Sequence, residues 1–472
     1  MFTYTAKLNQ NLMDEFNIHS PYYTSYPSLG KWNSGVSETD YISALTNYVS
    51  DAEVQDTGLY VHFPFCPRQC YFCICNVSIS NDSVRINKFF NSMLKEIDLL
   101  FGFFKKHGKK VRITDIHLGG GTPSYMTDEQ LTTIVNKLFF WISKSQVEEF
   151  SMEFDPRSST LEKFRLASSL GVNRISFGVQ EFKKEIQEAV NRVHTYEYID
   201  NLLTDEVRSM FKGINFDILY GLPMQTRESF RETIKLVKQL APDRVTLLRY
   251  AHVPEIIKHM KILDKYAMPD DQEKALFFFD AIDSFRESGW EHIGIDHFAK
   301  KDDKLVKSRN EKDLKRTFIG FQSGKLTNLL GIGPSSTLKL ENYYFQNTCN
   351  LEDYVTAVEM NKFPINVGYR LSDEDMLRRF VIERILCDGE LVFADVESRY
   401  SINFRQIFGV ELLELKKFED LEIAKIDNNG IFLTDLGMAF KRQICKTFDK
   451  FLRIDQEYKI YGTGNKLSRL TL

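Results

Sequence analysis

Four of the chain's seven cysteines fall within ten residues: Cys66, Cys70, Cys73 and Cys75, in FCPRQCYFCICN. The first three form C-x3-C-x2-C, three thiols on one loop just past an expected first strand, GLYVHF (58–63). A structural zinc site usually splits its ligands into two short pairs separated by a dozen or more residues, so that four donors close a tetrahedron. No second C-x2-C pair occurs in this sequence. Three thiolates on one loop suit a cubane iron–sulfur cluster, in which each iron takes one outer ligand. Three cysteines leave one iron open, and an open iron binds a small chelating cofactor. Structural zinc and a chance grouping of cysteines are the competing readings.

The rest of the composition sets limits. The chain has 472 residues, 43% apolar and 27% charged, ordinary for a soluble globular protein. A chain this long buries a large core without disulfides. Cys349, Cys387 and Cys445 are scattered singly and are expected to pack as small apolar residues. The start, MFTYTAKLNQNLMDEF, lacks the basic and apolar regions of a signal peptide, and no apolar run is long enough for a membrane span. A reducing cytoplasm fits, and there a cysteine cluster reads as metal-binding or catalytic. A net charge of -4 gives no general pull toward nucleic acid.

The elements that must carry this loop alternate. After GLYVHF comes a helical stretch over 83–107, with Ile86, Phe89, Phe90, Met93, Leu94 and Ile97 at helical spacing. Strands are expected at TDIHLGGGTP (114–123), EFSMEFDP (149–156), NRISFGV (173–179), INFDILYGL (214–222) and DRVTLLRYA (243–251). Helices are expected at 127–143, 160–170, up to 211, at 227–240 and at 271–288. WEHIGIDHFA (290–299) adds a further strand. Six strand–helix units imply an α/β fold with parallel strands. His117 with its glycines, Glu153, Gln180, Asp217 and Tyr250 lie in or just after successive strands. Such strand ends converge on one mouth in a β/α barrel, whereas in an open sheet the outer ones lie too far apart to share a ligand. The pattern thus predicts a partial (β/α)6 barrel over 58–300, preceded by an N-terminal arm (1–57). An extension and linker closing the barrel are expected over 301–365, with KKDDKLVKSRNEKDLKR (300–316) as a charged loop and LLGIGPSS (329–336) as a turn-rich segment. A separate, mostly helical C-terminal domain is expected over 366–472.

C-x3-C-x-aromatic-C after a first strand resembles the signature of the radical S-adenosylmethionine (SAM) enzymes. The resemblance extends further. YVHFPFCPRQCYFCICN, HLGGGTPSY, MEFDPR, NRISFGVQEF, NFDILYGLP, YAHVP, GIDHFA and LLGIG follow, in order, the oxygen-independent coproporphyrinogen III oxidases. It covers nearly the whole chain, from YYTSYPS to KRQICKTFDKFLR.

The resemblance implies roles. Cys66, Cys70 and Cys73 would hold a [4Fe–4S] cluster, with SAM on the open iron. One electron would cleave SAM to methionine and a 5′-deoxyadenosyl radical. Phe72 would offer its backbone to the adenine, and Gly120, Gly121 and Thr122 would approach the methionine portion, since glycines let a backbone come close to a ligand. Gln180, Arg192, Asp217 and Ala251 match positions that hold this SAM; Arg suits its carboxylate and Asp its ribose hydroxyls. Cys75 is expected not to ligate, because the open iron must stay free, but to mark the oxidase branch. Tyr60, Gly120, Glu153 and Phe318 match positions near a second SAM. Ile319 and Thr337 depart from the Gln and Ile of those oxidases, so the second molecule is expected to bind weakly or not at all.

The implied reaction removes CO2 from two propionates of coproporphyrinogen III. A hydrogen leaves the propionate β-carbon; loss of CO2 and one electron then gives a vinyl group. Partners implied are the tetrapyrrole substrate and a reductant such as flavodoxin or ferredoxin, acting on a cytoplasmic monomer. Arg249 is a candidate for receiving the substrate's carboxylates, with a plain salt bridge as its competing reading. The rival functions are another radical SAM enzyme, such as a methyl-transferring haem-degrading one, and a haem chaperone of the same fold.

Overall fold

The structure, a computed structural model, describes residues 3–50, 55–108, 111–324, 326–340 and 342–452. β1 (Asp56–Phe63) leads through the cysteine loop into α1 (Ser83–Lys106). β2 (Arg112–Gly120) and α2 (Asp128–Trp141) follow, then β3 (Glu149–Phe154) and α3 (Leu161–Leu170). β4 (Arg174–Gln180) is followed by three short helices, Lys184–Ala189, Tyr196–Leu202 and Asp205–Met210. β5 (Gly213–Tyr220) precedes α4 (Arg227–Leu240), and β6 (Arg244–Arg249) precedes α5 (Asp271–Glu287). The helices begin where side chains satisfy their first free N–H groups. Asp82 accepts from Val84 and Arg85 at the head of α1, and Thr127 with Gln130 forms a reciprocal cap on α2. α3 stops at Gly171, whose φ of 107° is left-handed. The periodic residues of α1, among them Phe89, Met93 and Ile97, are buried against the sheet.

Four further strands come from the extension and one hairpin from the end of the barrel. These are β7 (Trp290–Gly294), β8 (His297–Lys300), β9 (Asn328–Ile332), β10 (Thr337–Leu340), β11 (Tyr343–Asn347) and β12 (Ile365–Arg370). All twelve strands share one sheet, in the order β12-β11-β10-β9-β1-β2-β3-β4-β5-β6-β8-β7. The six units pair in parallel as expected, and β9 joins them as a parallel neighbour of β1. The edges of the ladder are β12 and β7, so the barrel is partial.

Several expectations are corrected. The charged stretch 300–316 is not a loop: it holds a helix, Lys304–Asn310, and the strand Lys315–Thr317, which pairs with Gly320–Gln322. LLGIGPSS is not simply turn-rich, because its first half is β9, buried at every position. The extension widens the sheet beyond β1 instead of closing the barrel, and the boundary at 366 cuts through β12. The C-terminal part opens with α6 (Asp373–Asp388), continues mostly helical, and adds a small three-stranded sheet. Its packing is not separate, since one cluster of buried apolar side chains runs from Tyr4 to Phe448. Phe16 of the arm meets both Phe278 of α5 and Phe440, at 5.1 and 5.8 Å between ring centroids. Cys387 and Cys445 are buried, but Cys349 is exposed. No helix among the described residues is long and apolar enough to cross a membrane.

One buried carboxylate keys the extension to the barrel. Glu96 of α1 accepts from the Gly333 N–H at 2.7 Å, Asn347 Nδ2 at 2.7 Å and the Tyr354 hydroxyl at 2.5 Å.

Candidate active site

The cysteine loop leaves β1 at Phe63 and is tied at its base by a short parallel pairing of Phe65–Cys66 with Ser78–Ile79. Other strand ends clamp it from outside. The Tyr71 N–H bonds Val190 O at 3.0 Å, and Asn191 Nδ2 bonds Gln69 O at 2.7 Å. His259 Nε2 lies 2.8 Å from Cys73 O. The aromatics between the cysteines have a packing role: Tyr71, Phe72 and Ile74 lie against an apolar cluster that includes Leu219, Leu222, Tyr250 and Met260. Cys70 is buried, Cys66 and Cys73 are half-buried, Cys75 is exposed, and none is in a disulfide. Among the described residues no three His, Cys, Asp or Glu side chains are grouped to hold a single metal ion. Ligands of a cubane need no such convergence, because each takes a different iron.

Two guanidinium groups point at Cys70. Arg157 Nη2 lies 3.3 Å and Arg192 Nη1 3.4 Å from its Sγ. Asp155 orients both: its Oδ2 is 2.6 Å from Arg157 Nη2 and 3.3 Å from Arg192 Nη1. Burial works against the Asp155 carboxylate, but Arg192 and Arg157 outweigh it and hold the group down at about 2. Burial, together with Cys73 and Cys70, pushes the Cys66 thiol up, while a hydrogen bond from Cys75 draws Cys73 down. Arg157 joins the site although the sequence gives no expectation for it; it closes MEFDPR, the motif that also holds Glu153.

The glycines have a visible reason. A Cβ on Gly121 would stand 2.7 Å from the carbonyl oxygens of Pro64 and Phe65, and one on Gly120 2.8 Å from Phe63 O. The Gly121 N–H donates to Phe63 O at 2.7 Å and the Thr122 N–H to Phe65 O at 3.1 Å. The close approach seen here is therefore to the cysteine loop itself. At Gly178 a Cβ would lie 2.7 Å from Arg192 Nη2 and 3.1 Å from Gln180 Nε2, so these two side chains meet over that glycine. Gln180 sits at a bulge with a φ of 71°, and its buried Oε1 has no hydrogen-bond partner among the described residues. A buried amide oxygen left unpaired is costly and marks a place for a ligand donor.

A second polar group lines the lumen. The Tyr60 hydroxyl bonds His62 Nδ1 at 2.9 Å, and His62 Nε2 lies 2.9 Å from Asn76 O. The Tyr60 ring stacks on His117 at 5.8 Å. His117 joins Ser151 Oγ at 2.7 Å and Glu153 Oε1 at 3.0 Å. Both histidines are thus satisfied. Asp217 accepts from Ser176 Oγ at 3.0 Å and Asn215 Nδ2 at 2.8 Å. Burial, reinforced by the negative charge of Glu153, lifts the Asp217 carboxyl to about 6. Thr337 is buried beside this group: Gly331 pairs with Tyr60, and a Cβ on Gly331 would stand 2.8 Å from Thr337 O. Ile319 is half-buried in the turn after Thr317, next to Phe318, whose ring packs on Trp32 at 5.6 Å. Ala251 is exposed, past the end of β6. Arg249 is engaged by Asp271 at 2.7 Å and by Asn17 at 3.2 Å, which is the salt-bridge reading.

The donor set fits a cubane with one open corner and a chelating ligand beside it. Three free thiols share one clamped loop, cationic donors face one of them, and an unpaired amide oxygen lies next to Arg192. Comparison with known proteins agrees. Residues 60–237 match the radical SAM superfamily, and residues 371–440 match the HemN C-terminal domain. An oxygen-independent coproporphyrinogen III oxidase from Pseudomonas aeruginosa is 31% identical over 451 residues, covering 95% of this chain and 97% of its own length. The one from Escherichia coli is 33% identical over 442 residues, covering 94% and 95%. The solved structure of coproporphyrinogen III oxidase (HemN) from Escherichia coli, described as a radical SAM enzyme, superposes with a TM-score of 0.86 at 32% identity. That match covers 91% of this chain and 97% of the other.

Proposed function

The chain belongs to the oxygen-independent coproporphyrinogen III oxidases of the radical SAM superfamily, and from that premise we propose that it converts two propionates of coproporphyrinogen III to vinyl groups, giving protoporphyrinogen IX. The superfamily works with a [4Fe–4S] cluster and SAM. When bound, these supply an electron and the 5′-deoxyadenosyl radical that abstracts hydrogen. The protein's own task is to bind, orient and exclude water.

Cys66, Cys70 and Cys73 hold the cluster. Arg157 and Arg192 donate to the Cys70 sulfur and offset its charge, and hydrogen bonds to cluster sulfurs are one lever on reduction potential. Arg192 and Gln180, which meet over Gly178, would hold SAM, with the unpaired Gln180 Oε1 available to accept an N–H or O–H. Asp217 keeps lone pairs free after serving Ser176 and Asn215, and these would accept from ribose hydroxyls. A second SAM binds weakly or not at all. This rests on Ile319, whose aliphatic side chain offers no donor or acceptor where the resembled oxidases have an amide.

The observation that carries this reading is the clamped three-thiol loop with Arg192 on Cys70 and an unpartnered Gln180 oxygen beside it. The test is anaerobic incubation of the reconstituted protein with coproporphyrinogen III, SAM and reductant, followed by porphyrin analysis. Protoporphyrinogen IX with 5′-deoxyadenosine is the expected result. S-adenosylhomocysteine as the SAM product, or stoichiometric haem binding without decarboxylation, would overturn it.

A further inference from the structure

Beside the lumen, where the arm, the extension and α6 meet, lies a cavity of about 30 Å3. That is room for about two waters, or for one carboxylate. Its walls carry three cations, Arg316, Lys339 and Arg379, against one carboxylate, Glu383, with Tyr344 and Phe318 among the rest. Two of these charges are already answered. Arg316 lies 3.5 Å from Asp296, and Glu383 lies 3.5 Å from Lys315. Among the described residues the Arg379 side chain has one hydrogen bond, to the Tyr344 hydroxyl at 3.5 Å, where such a bond is weak, and it shares the field of Glu383 with Lys339. The Lys339 side chain has no hydrogen bond or ion pair among the described residues. Burial lowers its ammonium to about 8, Arg379 and Lys315 push the same way, and Glu383 pulls only partly against them. The cavity therefore holds positive charge without enough counter-charge.

Its place in the sheet gives that charge a use. Lys339 of β10 pairs with Leu329 of β9, and Leu329 pairs with Gly58 of β1, two residues before Tyr60 on the same face. Thr337 shares the face of Lys339, about 7 Å along the strand. Cavity and lumen are thus neighbours on one face of the sheet.

Resting on the activity argued above, we propose that this cavity receives one carboxylate of the tetrapyrrole, with Lys339 and Arg379 as its donors, and so fixes which propionate the barrel mouth presents for reaction. Charge-assisted bonds from an ammonium and a guanidinium fork suit a carboxylate. The four-carboxylate substrate has groups to spare for anchoring.

The test uses the reconstituted holoenzyme. Lys339→Met keeps the apolar stem and removes the charge. It should leave cluster content and substrate-free cleavage of SAM unchanged while raising KM for coproporphyrinogen III about tenfold or more, with a smaller change in kcat. Lys339→Arg should restore KM, and Arg379→Lys should fall between. Binding of the tetramethyl ester, measured by anaerobic ultrafiltration, should not distinguish Lys339→Met from wild type. An unchanged KM in Lys339→Met, equal weakening of acid and ester, or a Lys339→Arg as impaired as Lys339→Met would overturn the assignment. A wild-type enzyme that cleaves SAM but leaves coproporphyrinogen III intact is a different failure: it removes the activity itself, and this site with it.

Discussion

Replacing Gly121 by alanine separates the two uses of the glycine-rich turn after β2. The new methyl would stand 2.7 Å from three backbone atoms: the carbonyl carbon and oxygen of Pro64 and the carbonyl oxygen of Phe65. Carbon contacts settle at about 3.5–4.0 Å, so the loop must retreat by on the order of 1 Å. Gly121 does not have a left-handed φ, so crowding alone is tested. The retreat also strains the bonds from the Gly121 and Thr122 N–H groups to Phe63 and Phe65. Overpacking costs about 1–3 kcal/mol and a lost hydrogen bond about 0.5–1.5 kcal/mol. Cys66 follows Phe65 directly, so much of that cost falls on the geometry of the first ligand. Gly178→Ala is the control, because its methyl would meet the tips of Arg192 and Gln180 at 2.7 and 3.1 Å, and side-chain tips can swing aside. Iron and sulfide per chain after anaerobic reconstitution should fall to a small fraction of wild type in Gly121→Ala. They should stay near wild type in Gly178→Ala, with SAM affinity down about tenfold, equivalent to about 1.4 kcal/mol. A full, SAM-responsive cluster in Gly121→Ala, or equal cluster loss in both variants, would refute the reasoning.

Serine at Cys66, Cys70 or Cys73 should abolish the [4Fe–4S] centre, whereas Cys75→Ser should leave much of it; iron analysis and electron paramagnetic resonance decide. Asp217→Ala should weaken SAM binding by about 1.5–3 kcal/mol in equilibrium dialysis, with cluster content unchanged. Dialysis should also find one tightly bound SAM per cluster in the wild type, and Ile319→Gln with Thr337→Ile should strengthen any second site; two sites of similar affinity in the wild type would show that Ile319 and Thr337 are harmless. Burial lifts the Glu96 carboxyl to about 7, against the pull of its three donors. Because the folded value is raised, this group's contribution to stability is full below about 4.5 and lost as pH rises through about 7. Glu96→Gln should flatten that part of a urea-unfolding pH profile, and should cost about 1–3 kcal/mol overall by turning an N–H toward one of those donors.

What the sequence disclosed was mostly local. The six strand–helix units carry their periodicity in windows of a dozen residues, and C-x3-C-x2-C is complete in eight. What it hid depends on distant partners. β9 is five residues long, and its parallel neighbour β1 lies about 270 positions earlier, so NLLGIGPSS gives no periodic signal that separates a strand from a turn. The helix Lys304–Asn310 has only seven residues in a run of charges, although Leu305, Val306 and Ser308 are buried. Arg157 has no expected role from its local sequence, an arginine after a proline, and its meaning comes from Cys70, 87 residues away. Spacing alone could not say whether the glycines after β2 admit a ligand or a loop of the same chain, and the observed contacts are with the loop.

The same distant contacts hold the cysteine loop in place. Its clamps come from the segments after β4 and β6, its floor from the turn after β2, and its charges from the segments after β3 and β4. When Cys70 is a thiolate, the form that binds iron, two guanidinium charges face two negative charges, Asp155 and the sulfur. With the cysteine absent, the same two cations would share a single carboxylate in a buried site, an arrangement with an uncompensated charge. The surroundings of Cys70 are thus balanced for a ligated sulfur. On the proposed reading, that balance gives Arg157 and Asp155 a part in the cluster site, although neither belongs to the cysteine motif.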